Sequence, residues 1–396
     1  MKNQFARRWQ HKWLMVLITA LMVGCADQSV DDDAPYAELQ ELGLDKYLGV
    51  DSPEVLSADG TTTIWTWAHD PLGNSPGCLR GGTFRASTRV SAQPSEDLVI
   101  FLQGGGACWS DFCLAFDYAT EGVPPIDVLD PQLEVNPVRD WNAVYLPYCD
   151  GSLFAGDARL DDDGDGEIDR DHRGLRNLSA ALTVAQKEFP SPKRILLAGS
   201  SGGGFGLFLA LPLARMVWPE AQILVMNDAG VGVAKEGNEG FITQLLEEFG
   251  VKAMIPSSCK DCFADGHLTE LLAWSLERDP SVRIAAFSST RDYVIANLFL
   301  QIEPAQFETS LRAEMAQLEA RFPGRFASFI TEGTRHTTLL GDISGFTSTG
   351  GATAAAIGSF LGSIESTQAE GVRFSDWFLA FIDNAETWVP VVASPK

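Results

Sequence analysis

Short apolar and β-branched runs alternate along the chain with longer segments of helical period. The runs at 61–67 (TTTIWTW), 98–103 (LVIFLQ), 143–148 (AVYLPY), 194–199 (RILLAG), 222–228 (QILVMND), 283–289 (RIAAFSS) and 325–331 (RFASFIT) read as strands. Between them, 174–189, 204–217, 268–278 and 308–322 read as helices. Near the end, Phe374, Trp377, Phe378, Phe381 and Ile382 recur at helical spacing, which predicts a helix over 372–388 docked by one apolar stripe. Strands alternating with helices predict an α/β fold with a mostly parallel central sheet and helices on both faces. Such sheets place their sites at the carboxyl ends of the strands.

The first residues depart from this pattern. Residues 1–24 carry Lys2, Arg7, Arg8 and Lys12, no acidic residue, and the apolar run WLMVLITALMVG, which reads as a signal peptide too short to span a membrane comfortably. Met22-Val23-Gly24-Cys25 resembles a bacterial lipobox. That resemblance implies cleavage before Cys25, acylation of Cys25 and a membrane anchor, with an ordinary signal peptide or an uncleaved anchor as the rival. Residues 25–60 are acidic and lack an apolar period, as a tether would, and 61–396 is the length of one catalytic domain.

Charge and cysteine content fit export. The net charge is −24, and loss of the four cations in the signal makes it −28, which argues against nucleic-acid binding. Six cysteines remain after Cys25, an even number suited to an oxidising compartment. Cys108 lies close to Cys113 and Cys259 to Cys262, leaving Cys78 for Cys149. Other pairings stay open, as does zinc at Cys259 and Cys262, although no second CxxC completes such a site.

The candidate chemistry centres on ILLAGSSGGGFG at 195–206. Gly199-Ser200-Ser201-Gly202-Gly203 fits G-x-S-x-G, the turn that lifts a nucleophilic hydroxyl above a sheet. Ser200 would need glycine at position 198, where Ala198 stands, so Ser201 is the nucleophile of this reading. Its base should be a histidine oriented by a carboxylate. Of His11, His69, His172, His267 and His336, the last follows the final predicted strand, where this architecture delivers its base. Asp292 follows the preceding strand and is the candidate acid, with Asp228 as the alternative. Gly104-Gly105-Gly106 directly follows LVIFLQ, so the amides of Gly105 and Gly106, with that of Gly202, form the candidate oxyanion hole. No Lys-Ser/Thr follows these glycines, which excludes a phosphate-binding P-loop.

The segments FLQGGGACWSDFC, WNAVYLPYCDGSLFAGD, HRGLRNLSAAL, LLAGSSGGGFG, SSTRDY and RHTTL stand in the order and spacing of the pectin acetylesterase/Notum family, which this chain resembles over roughly 75–390. The resemblance implies an α/β-hydrolase with Ser201, Asp292 and His336 as triad, Gly105, Gly106 and Gly202 as oxyanion donors, and disulfides Cys78–Cys149 and Cys108–Cys113. It implies cleavage of an acyl ester, such as an acetylated glycan or an acylated protein, without a catalytic cofactor. Where Notum-like members carry an aromatic residue in the oxyanion loop, this chain has Gly106.

A second departure is the acidic insertion at 161–169. Asp161, Asp163, Asp165 and Asp169, with Gly166 and Ile168, match the first nine positions of an EF-hand loop and predict a structural calcium ion. Position 12 is His172 rather than glutamate. Two rival functions share these features: a calcium-dependent surface binding protein on an inactive hydrolase scaffold, and a serine peptidase or amidase.

Overall fold

In the computed structural model, which describes residues 34–49, 53–68, 70, 74–341 and 360–395, the short apolar runs become strands, joined by several others. In chain order these are β1 (Glu54–Asp59), β2 (Thr62–Thr66), β3 (Arg85–Arg89), β4 (Asp97–Leu102), β5 (Gly106–Trp109), β6 (Phe112–Ala115), β7 (Asn142–Leu146), β8 (Ala158–Leu160), β9 (Arg170–His172), β10 (Arg194–Ser200), β11 (Gln222–Asp228), β12 (Arg283–Ser289), β13 (Phe326–Thr331) and β14 (Val391–Val392). Among the described residues, ten form one sheet in the order β1-β2-β3-β7-β4-β10-β11-β12-β13-β14. The pairs from β1 to β7 are antiparallel, and every pair from β7 through β14 is parallel.

Both faces of the parallel part are buried. Leu98, Ile100 and Leu102 of β4 enter one core while Val99 and Phe101 enter the other, and β10, β11 and β12 repeat the alternation. The first core is covered by α2 (Gly174–Glu188), α3 (Gly202–Val217), α5 (Thr269–Arg278) and α6 (Pro304–Arg321), with the short α1 (Ala37–Glu41) and α4 (Phe241–Glu248) at its margins. The second is covered by α7 (Phe374–Ile382), whose stripe Phe374, Trp377, Phe378, Phe381 and Ile382 is buried against Phe287 and Phe329. This mixed sheet with a parallel centre is the α/β arrangement that the strand pattern predicts, and it fits the α/β-hydrolase fold that the family resemblance implies.

Several elements differ from expectation. The helix expected over 372–388 stops at Ile382. Asn384 then adopts a left-handed conformation (φ 55°), and the chain turns back to set Trp388 on Phe381 at 4.8 Å. The helix α6 starts at Pro304 because Glu303 and Gln306 form a capping box around it. The acidic tether expected over 25–60 is docked where it is described. Tyr36, Leu39, Leu44 and Tyr47 enter the first core, Glu38 accepts from Ser258 N at 2.9 Å, and 54–59 is an edge strand. Four buried apolar side chains hold this segment although they follow no single period. The signal peptide expected at 1–24, Cys25 and the histidines His11 and His69 lie outside the described residues.

Disulfides join Cys78 to Cys149, Cys108 to Cys113 and Cys259 to Cys262, so the last pair is not a zinc site. No helix of the described residues is long and apolar enough to cross a membrane.

Candidate active site

The carboxyl ends of four neighbouring parallel strands and the loop after a fifth deliver the candidate groups to one rim: Gly104–Gly106 after β4, Ser201 after β10, Asp228 at the end of β11, Asp292 after β12 and His336 after β13. Ser201 sits at the turn between β10 and α3 with φ 55° and ψ −120°, a conformation that side chains other than glycine rarely adopt. The turn is tight enough to dictate its neighbours. A Cβ on Gly199 would lie 2.3 Å from the carbonyl oxygen of Gly203, and one on Gly203 would lie 2.0 Å from that of Leu102. The G-x-S-x-G pattern is therefore a packing requirement here.

Gly104, Gly105, Gly106 and Gly202 line one pocket with Ser201. Gly106 opens the hairpin β5–β6 at φ 87°, and a Cβ there would meet the Leu114 carbonyl at 1.9 Å. Cys108 and Cys113, paired across this hairpin and disulfide-bonded, close it. Gly202 is the first residue of α3, so its amide has no acceptor within the helix and is available at the helix N-terminus.

His336 is buried, and its Nδ1 lies 3.0 and 2.9 Å from the two carboxylate oxygens of the fully buried Asp292. This contact assigns the ring proton to Nδ1 and leaves the lone pair on Nε2. Nε2 is buried without a hydrogen-bond partner among the described residues, while His336 and Ser201 line the same pocket. No hydrogen bond joins Ser201 to His336 in this conformation; such contacts commonly tighten only with substrate. Asp292 Oδ1 also accepts from Val294 N and Ile295 N at 3.0 Å each, capping a π-helical segment, Tyr293–Leu300, that the sequence pattern does not announce.

Asp228, the alternative acid, makes no hydrogen bond to the imidazole among the described residues. Its carboxylate accepts from Ser200 Oγ at 2.5 Å, Thr338 N at 2.9 Å and Leu339 N at 3.0 Å. Burial pushes its carboxyl up to about 6, against the downward pull of those donors. Ser200 is thereby committed to Asp228, which leaves Ser201 as the serine facing the pocket.

The pocket encloses about 230 Å³. Its walls are hydrocarbon: Phe112, Leu114 and Phe116 from the hairpin side, Val294, Leu298 and Phe299 from the π-helical segment, and Phe205 from the first turn of α3. The sequence motifs locate the polar groups but not this lining, because its residues come from scattered segments without a shared period. Leu153 lies within one quoted motif, yet only the structure assigns it to the wall.

The remaining candidates lie elsewhere. His172 is buried with Nδ1 2.9 Å from the Asp150 carbonyl oxygen, and burial lowers its pKa to about 4. His267 Nδ1 accepts from Ala234 N at 3.0 Å. In the acidic loop, Asp161, Asp163 and Asp169 bring carboxylate oxygens within 4.8 Å of one another. Asp165 stands outside this group and instead accepts from Glu167 N.

Comparison with known proteins agrees with the fold and the motif set. Residues 78–263 match the sequence profile of the pectinacetylesterase family. The palmitoleoyl-protein carboxylesterase notum1 of Xenopus laevis is 26% identical over 205 residues, covering 43% of this chain and 40% of that relative. The chain thus spans less than half the length of this curated relative. The crystal structure of the Wnt deacylase Notum from Drosophila superposes with a TM-score of 0.56 at 14% identity, over 81% of this chain and 93% of the other, a likeness of fold.

Proposed function

We propose that this chain, whose residues 78–263 match the pectinacetylesterase profile, is an exported serine carboxylesterase of the pectin acetylesterase/Notum family. His336, held by Asp292, takes the proton of Ser201 as Oγ attacks an ester carbonyl. The oxyanion is received by the amides of Gly105, Gly106 and Gly202. His336 returns the proton to the departing alcohol, and water activated by the same imidazole frees the acid from the acyl-enzyme. One observation carries the reading: Nδ1 of His336 is engaged by both oxygens of Asp292, which leaves Nε2 unpartnered in the pocket that Ser201 also lines.

The acyl half of the substrate is hydrocarbon longer than acetyl. In support, the pocket exceeds the roughly 150 Å³ apolar cavity that holds a benzene ring. Further parts of the proposal are a lipid anchor at Cys25, supported by the lipobox-like segment, and a structural calcium ion held by Asp161, Asp163 and Asp169, supported by their convergence. Three disulfides support an oxidising compartment for the domain.

The test is hydrolysis of p-nitrophenyl acetate, butyrate and octanoate by purified protein. Ser201→Ala should abolish it and Ser200→Ala should not. A fluorophosphonate probe should label Ser201, whereas a folded protein that takes no label would be a binding protein on this scaffold.

A further inference from the structure

Adjoining the catalytic pocket is a second apolar chamber of about 50 Å³, lined by Ile242, Leu245 and Leu246 of α4 together with Phe208, Met254 and Leu268. Two side chains, Leu153 and Phe205, line both spaces and so form the partition between them. Phe205 follows Ser201 by one turn in α3, its ring tilted against Phe299 at 5.3 Å, and both rings line the catalytic pocket. Leu153 is half-buried with φ 59°, and its amide donates to Tyr148 Oη at 3.0 Å, so its backbone is fixed while its side chain is held by packing alone. The polar side chain beside the chamber is satisfied: Ser152 Oγ contacts the Asp150 carboxylate and accepts from Gly156 N. Such a space is a poor host for water and a good one for methylene groups.

We propose that Leu153 and Phe205 gate the length of the acyl chain, with the chamber under α4 as a terminal subsite for an unbranched fatty acyl group. The inference rests on the esterase reading and deepens it. An acyl group bound to Ser201 runs along the pocket to these two side chains. A longer chain continues only by displacing them into new rotamers.

Hydrolysis of p-nitrophenyl butyrate, octanoate and dodecanoate tests the gate. Phe205→Ala should raise the dodecanoate-to-butyrate ratio of kcat/KM by about tenfold or more. Leu246→Phe, which plugs the chamber from α4, should reverse that gain when added to Phe205→Ala. Leu153→Ala is the second opening variant and should shift the ratio in the same direction. A ratio that neither opening variant moves, or a gain that survives the plug, overturns the gate while leaving the esterase reading intact. Wild-type protein inactive on all three esters overturns the esterase reading instead.

Discussion

The hydroxyl of Ser200 donates to the carboxylate of Asp228 at 2.5 Å, and the same carboxylate accepts the amides of Thr338 and Leu339 just beyond His336. One buried anion therefore braces the residue before Ser201 against the residues that follow His336. Asp228→Asn would turn an amide N–H₂ toward one of these donors and leave a buried group unpaired, at about 1–3 kcal/mol. We expect kcat to fall roughly 10- to 100-fold with little change in KM. Equal losses in both Asp228→Asn and Asp228→Ala binding of a substrate analogue would contradict this positioning role.

Ser200→Ala removes one of three donors to Asp228. The expected loss is about 1 kcal/mol of stability with measurable esterase activity retained. Loss of all activity in a folded Ser200→Ala protein would overturn the assignment of Ser201.

Asp150 and Asp228 are both fully buried, and burial raises each carboxyl to about 6. In the folded state each keeps a proton that the unfolded chain releases near pH 4. Their contribution to stability is thus complete below pH 4 and is lost as pH rises toward 6, on the order of 3 kcal/mol apiece. Asp150→Asn should flatten the pH 4–6 dependence of the thermal midpoint relative to wild type. An unaltered slope in scanning calorimetry would refute this.

The disulfides should separate rate from stability. Cys108 and Cys113 are five residues apart, so replacing both with serine should change global stability little, yet loosen the hairpin that begins at Gly106 and lower kcat about tenfold. Cys78 and Cys149 are 71 residues apart, and their removal should cost about 4 kcal/mol. Parallel denaturation and kinetic measurements on the two double variants distinguish the cases.

Calcium should raise the thermal midpoint of the protein, and Asp163→Asn should reduce that effect, since Asp163 is one of the three convergent carboxylates. The same titration leaving wild type unmoved would dispose of the ion.

The parallel strands and most helices were legible because both periods are strong there: β10, β11 and β12 are near-continuous apolar runs bounded by charge or glycine. The glycines Gly104, Gly106, Gly199 and Gly203 were legible because backbone atoms crowd the place a side chain would take, as the Tyr148 and Phe116 rings do at Gly105. Segments held by single contacts were not. Tyr36 and Leu39 read as part of an acidic tether, since nothing in their own segment reveals the core they enter. Asp228 stays an alternative acid in the sequence because its partners at 338 and 339 are distant along the chain. The π-helical segment after Asp292 has no periodic signature, and its start is set by a cap that only the fold reveals.

The hydrocarbon walls around Ser201 also bear on how a catalytic cycle ends. In the proposed reaction, ester cleavage leaves a carboxylate whose tail is still surrounded by Phe205, Leu298 and Phe299. Its exit must re-expose each methylene to water at about 0.8 kcal/mol. Departure of the freed acid would then govern turnover as chains lengthen, appearing as a rapid first release of alcohol followed by a slower steady rate.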